Sequence, residues 1–248
     1  MTHLAPGSPA VTLTGPDANT SGVLNALPKA RWAHFATHGF FAEPGIRSAM
    51  RLDESSFELR RFMLFGERTS VAARSPLVLS GLVLAGANLP RKRDRFGITE
   101  GDGGILTAEA IAGLPLQGLE LAVLSACDTG LGQVAGGEGI FGLQRAFHMG
   151  GARNVIASLW KVDDQATAAL MGLFYHKLWV EKKPPLVALR ESQLALYRNP
   201  DKIGDLATTR GPELAGVVKL IDGRQSRSTG KTDPTKAWAG FVLSGAGR

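Results

Sequence analysis

Residues 121–142 read LAVLSACDTGLGQVAGGEGIFG, and the fold turns on how this stretch divides. The apolar run ending at Ser125 has the length of a buried strand, and an apolar stripe at helical spacing (Ile140, Phe141, Leu143, Ala146, Phe147) follows it. Between the two lie Cys127, the only cysteine of the chain, and Gly130, Gly132, Gly136, Gly137 and Gly139. Those glycines leave little side-chain bulk beside the thiol, so a substrate backbone has room to lie against the loop.

Outward from this unit the same alternation recurs. Upstream, residues 31–36 (RWAHFA) predict a strand that stops at Thr37, His38 and Gly39, placing a histidine at a strand's carboxyl end. Asn19 is placed to cap a helix over 20–27, and Thr107 one over 108–112 that Gly113 and Pro115 end. Residues 11–14 predict a short strand, 77–84 one strand or two broken at Gly81, and 40–76 a hairpin or irregular insertion. Downstream, residues 154–160 (NVIASLW) predict a buried strand. Asp163 or Asp164 then caps a helix with Ala166, Ala169, Leu170, Leu173, Phe174 and Leu178 on one face. A further helix spans 186–198, residues 199–235 read as linker or flexible loop with 223–233 its most polar part, and 238–243 (WAGFVL) close the chain as a strand. Strands alternating with helices at these lengths predict an α/β fold, a mostly parallel sheet flanked by helices on both faces.

Composition narrows the function. With 248 residues and 44% hydrophobic content the chain can fill a core. One cysteine allows no intrachain disulfide, and no Cys/His cluster has zinc spacing, so a reducing compartment is expected. The opening MTHLAPGSPAVTLTGPD lacks a basic and then apolar leader, and no run approaches the roughly 18 apolar residues of a membrane span. The expected location is cytoplasmic, with no membrane partner. A net charge of +6 and pI near 9.7 raise nucleic acid as a partner. Its densest basic cluster, RKRDR at 91–95, has no interleaved aromatics and sits in the polar stretch 90–104, which reads as a solvated loop. No nucleic-acid partner is expected.

Gly130, Gly132 and Ala135 satisfy a dinucleotide fingerprint, yet Ala126–Thr129 separate them from the strand and the helix starts late, so nucleotide binding is set aside. His34 and His38 lie four apart on a strand without the glutamate of a zinc-protease helix, and His148 and His176 stand singly, which suits structural roles. No metal or organic cofactor is required.

In an open parallel sheet, ligands bind beyond the strands' carboxyl ends. Cys127 and His38 both follow strands, so they meet at one edge if those strands are parallel. A thiolate there can serve as nucleophile, with the histidine lowering its pKa and protonating a leaving amine. The backbone N–H groups of Gly39 and Cys127 are candidates for an oxyanion hole. The residues alone leave open an inert core cysteine as the other reading.

Several ordered blocks carry a resemblance: ATHG at 36–39, SGLVLAGAN at 80–88, GGILTAEAIAGLPLQGLELAVLSACDTGLG at 103–132, GGEGIFGLQRAF at 136–147, SLWKVDDQAT at 158–167 and the terminal WAGFVLSG. Together they resemble the CHAT domain, a caspase-like family related to separase and often found at the carboxyl end of tetratricopeptide-repeat proteins. The resemblance implies a caspase-haemoglobinase-like fold in a single domain over residues 1–248, and a Cys/His dyad peptidase with His38 and Cys127 as the catalytic pair. It also implies a protein or peptide substrate and a regulatory partner such as a tetratricopeptide-repeat protein. In separase-like relatives an acidic residue in the stretch of Asp163 and Asp164 lines the primary pocket. Either aspartate would then be a substrate-binding residue favouring Arg or Lys before the scissile bond. The family usually carries another strand and helix before the segment matching 11–27, so the chain reads as a fragment or truncated paralogue with an exposed sheet edge. The rival reading is a catalytically silent module that keeps the fold and binds protein.

Overall fold

The computed structural model describes residues 10–41, 77, 80–88, 92–93, 99–100, 103–125, 138–209, 212–222 and 235–248. The insertion expected at 40–76, apart from its first residues, the loop holding Cys127, and the polar stretch 223–233 lie outside them.

The central sheet has the order β1 (Trp32–Phe35), β7 (Leu121–Leu124), β8 (Asn154–Ser158), β9 (Phe241–Gly245). β1, β7 and β8 run parallel, and β9 closes the sheet antiparallel to β8. This is the expected mixed α/β architecture, consistent with a caspase-like fold. Side chains alternate across a strand, so β7 and β8 each feed two cores. Leu121, Val123 and Ile156 face one core, with α4 (Asp164–Tyr175), α5 (Pro185–Arg198), α6 (Ile203–Thr208) and α7 (Pro212–Asp222) supplying Leu170, Phe174, Leu189, Leu206 and Val218. Ala122, Leu124, Val155 and Ala157 face the other, against α1 (Thr20–Ala26), α2 (Ala108–Ala112) and α3 (Glu138–Gly150), through Val23, Ile111 and Phe147. Burial on both faces is why β7 and β8 read as unbroken apolar runs.

A second sheet was not expected. β2 (His38–Phe41), β3 (Ser80–Val83) and β6 (Ile105–Thr107) pair antiparallel in that order. Thr37 donates its hydroxyl proton to the Val83 carbonyl and so fastens the step from β1 into β2. Gly81 does not break its strand. A Cβ there would lie 2.5 Å from the Leu106 carbonyl oxygen and 2.9 Å from the Phe40 ring, so glycine lets three strands close up.

Local signals set most helix ends. Asn19 accepts from the Gly22 amide at 2.7 Å and Thr107 from the Ala110 amide at 3.2 Å, as expected of both caps. Three expectations need correction. Residues 11–14 form no strand, and Val11 is 73% exposed, because four β-branched or apolar residues without a neighbouring strand have no ladder to join. Lys92–Arg93 (β4) are not simple loop but pair antiparallel with Thr99–Glu100 (β5). Residues 199–235 are not mainly linker: α6 and α7 occupy 203–208 and 212–222, and α8 covers Thr235–Trp238. Leu206, Leu214, Val218 and Ile221 bury one stripe of α6 and α7 against α4, a pattern diluted in sequence by the polar residues between them.

β1 is the outer strand of the central sheet among the described residues, and its grip on α4 is aromatic. His34 Nδ1 and the Tyr175 hydroxyl are hydrogen bonded at 2.6 Å. Tyr175 stacks on Trp179 with ring centroids 4.4 Å apart, and Trp179 meets Trp32 at 5.9 Å. Burial lowers the His34 pKa to about 4 and raises that of Tyr175, so both groups are neutral near pH 7. His34 is therefore a bonded strand residue, as its isolation in the sequence suggests.

Two outcomes are expected. Gly81→Ala should destabilise by about 2 kcal/mol, since the obstructing Leu106 oxygen is backbone and cannot swing away; urea unfolding with an unchanged m-value checks it. Below pH 6.5 the unfolded chain takes up a proton that native His34 refuses until about pH 4. Stability should thus fall as pH drops through that window and level off beneath it, by at most about 3 kcal/mol. His34→Gln should flatten this slope, measured by denaturant unfolding at pH 7 and pH 4.5.

Candidate active site

Three neighbouring parallel strands end at one edge. In the β1–β7 ladder Phe35 is paired with Leu124, and the Ser125 amide extends the ladder by donating to the Phe35 carbonyl at 2.9 Å. Leu124 in turn pairs with Ala157 of β8. The condition on which the Cys/His reading depends, parallel strands before His38 and Cys127, therefore holds, and the strands are adjacent as well.

His38 stands three residues beyond Phe35 and is exposed. It is not in a loop. It opens β2, opposite Val83, where the chain passes from the central sheet into the antiparallel one. Gly39 follows opposite Leu82. The turn is short because Ala36 and Thr37 alone separate the two strands, so His38 is held by backbone pairing on its far side and by β1 on its near side. Cys127 stands three residues beyond Leu124 in the chain and lies outside the described residues.

The third strand leads to the two aspartates. After Ser158 the backbone remains tied to the end of the chain, with the Leu159 amide donating to the Gly240 carbonyl at 2.7 Å and Trp160 Nε1 to the Lys236 carbonyl at 3.3 Å. Val162 then buries and α4 begins. The cap is Asp163, whose Oδ1 accepts from the amides of Gln165 at 3.0 Å and Ala166 at 3.1 Å. Asp164 is the first helical residue; both aspartates are exposed, and the capping bonds of Asp163 are what distinguish them. One carboxylate satisfies the orphan amides at the helix start, and the second adjoins the positive end of the same helix.

Two features of this edge carried no function in the sequence reading. Ser125 has a buried hydroxyl with no hydrogen-bond partner among the described residues, two positions before the cysteine. Leu159 and Trp160 remain 37% and 36% exposed just past β8. The sequence pattern puts both residues inside the buried strand 154–160, but β8 ends at Ser158 and both stay partly exposed, with Trp160 turned toward the Lys236 carbonyl.

The other described histidines, His148 and His176, have structural contacts. His148 Nδ1 donates to the Ala152 carbonyl at 2.9 Å and Nε2 is 2.9 Å from the Ser244 hydroxyl. His176 is buried at the end of α4. Among the described residues no three His, Cys, Asp or Glu side chains are grouped to hold a metal, and no helix is long and apolar enough to cross a membrane.

Comparison with known proteins places this edge in a family. No curated protein matches the chain. The family model for the CHAT domain matches residues 2–246, a span that takes in β1, β7, β8 and α4 together with His38, Cys127 and both aspartates. The chain belongs to the CHAT domain family.

Proposed function

We propose that the protein is a cysteine endopeptidase with His38 and Cys127 as its catalytic pair. The register of β1 against β7 supports this most directly, because it starts the two connecting segments side by side at Phe35 and Leu124. Neighbouring strands lie about 4.8 Å apart, and two further residues span at most about 7 Å. That length of chain would let a residue two places beyond Ser125 approach the start of β2, where His38 stands. The caspase-like character of the family adds a second, independent reason.

In the proposed reaction the Cys127 thiolate attacks the peptide carbonyl carbon, and the backbone amides of Gly39 and Cys127 receive the developing oxyanion. His38 then gives its proton to the departing amine and takes one from water as the acyl-enzyme is hydrolysed. No cofactor enters the scheme. Because Asp163 is engaged in capping, Asp164 is the carboxylate proposed to pair with an Arg or Lys side chain before the scissile bond. A tetratricopeptide-repeat protein is the proposed class of regulatory partner.

Cys127→Ala should lower hydrolysis of an Arg-containing peptide library by roughly a thousandfold or more while leaving the unfolding curve in place, and His38→Ala should act similarly. If wild type is as inactive as Cys127→Ala, alone and with every partner tried, the enzyme reading fails and a protein-binding module remains. For specificity, Asp164→Asn should reduce kcat/KM for Arg and Lys substrates by about tenfold to a hundredfold without that loss for neutral ones. Steady-state kinetics on matched fluorogenic peptides would show an equal loss for all substrates if Asp164 has no such role.

A further inference from the structure

In the outer helical layer a cavity of about 310 Å³ opens between the end of α4, α5 and α7. Its charged lining among the described residues is Lys177, Lys183 and Arg198 against the single carboxylate of Glu191. The backbone around it is unusual. Residues His176–Val180 widen into a π turn, with the Glu181 amide donating to the His176 carbonyl at 3.2 Å, and Lys182 adopts a left-handed φ of 57°. A non-glycine residue in that region is strained, and π turns and strained residues gather at ligand sites. The result here is specific: the chain doubles back so that the Lys183 amide reaches the Lys177 carbonyl at 3.0 Å, and both lysines line one cavity.

The charges have been partly balanced. The Lys177 ammonium, its side chain 2% exposed, lies 3.4 Å from Glu191 and 3.7 Å from Glu181. Lys183 bridges Glu181 at 2.9 Å and Glu191. Burial would raise the Glu181 pKa, but the hydrogen bond from Lys183 and the charges of Lys177, Lys183 and His176 hold it below the usual carboxylate range. Both lysines thus face both glutamates, and Arg198 adds a cation that no ion pair joins to another described residue. Asn199 is buried at the end of α5, its backbone amide donating to Ala195 and Leu196 and its side-chain amide to Ala195 at 3.0 Å.

We infer that this cavity is a binding site for a small oxyanion, the carboxylate or phosphoryl group of a ligand, held by the Arg198 guanidinium with Lys183 and Lys177. A planar guanidinium and two ammonium groups offer the donors such a group needs. The site is separate from the Cys/His proposal and stands or falls without it.

Calorimetric titration of the full chain with inorganic phosphate, and separately with acetate, at ionic strength fixed by sodium chloride tests the inference. Saturable one-to-one binding of either anion is expected, and the one that binds distinguishes phosphoryl from carboxylate ligands. Arg198→Gln and Lys183→Gln should each weaken it by roughly tenfold. Arg190→Gln, at an exposed arginine of the same helix away from the cavity, should leave it unchanged. Absence of saturable binding for both anions, or equal weakening by Arg190→Gln and Arg198→Gln, overturns it.

Discussion

The parallel ladder between β1 and β7 is the constraint on which the rest depends. Its ends are marked by backbone bonds, from the Glu120 amide to the Arg31 carbonyl at 2.8 Å and from Ser125 to Phe35 at 2.9 Å. Between them Trp32 through Phe35 match Leu121 through Leu124 residue for residue. A slip of one residue would turn Ala122 and Leu124 out of one core and Leu121 and Val123 out of the other, so two buried faces together hold the register. The exposed Arg31–Glu120 pair at 2.9 Å decorates the ladder's start but contributes little beside those faces.

Because that register is fixed, the two segments leaving the ladder start level with each other. One is caught almost at once: the antiparallel sheet takes the chain at His38 and pairs it with β3. The central sheet supplies direction, and the second sheet supplies a stop. On the opposite face, His34, Tyr175, Trp179 and Trp32 tie the outer strand to α4, whose other end is capped by Asp163. One helix thereby joins the strand preceding His38 to the carboxylates beyond β8.

Short-range chemistry explains why some elements were readable. Asn19, Thr107 and Asp163 cap with side chains that reach amides two or three residues away, and no distant group is needed for that bond. β7 and β8 announced themselves because burial on both faces demands uninterrupted apolar residues. Where the deciding partner was remote, the sequence decided less. Gly81 left one strand or two open, since nothing near it in sequence reveals the Leu106 carbonyl that excludes a side chain. The helices at 203–208 and 212–222 looked like linker because their apolar stripes are short and take their stability from α4 rather than from intrinsic propensity.

By itself, then, the sequence determined the α/β class, the strand before Cys127, the histidine two residues past Ala36 and the capped helix after β8, all of which follow from side-chain spacing along the chain. Only the tertiary structure decided that β1 and β7 are neighbours in register, that His38 opens a strand of a second sheet, that Asp163 rather than Asp164 caps, and that Lys177, Lys183 and Arg198 share a cavity. Each of these depends on which distant backbone or charge lies opposite, and a linear pattern of residues does not specify that.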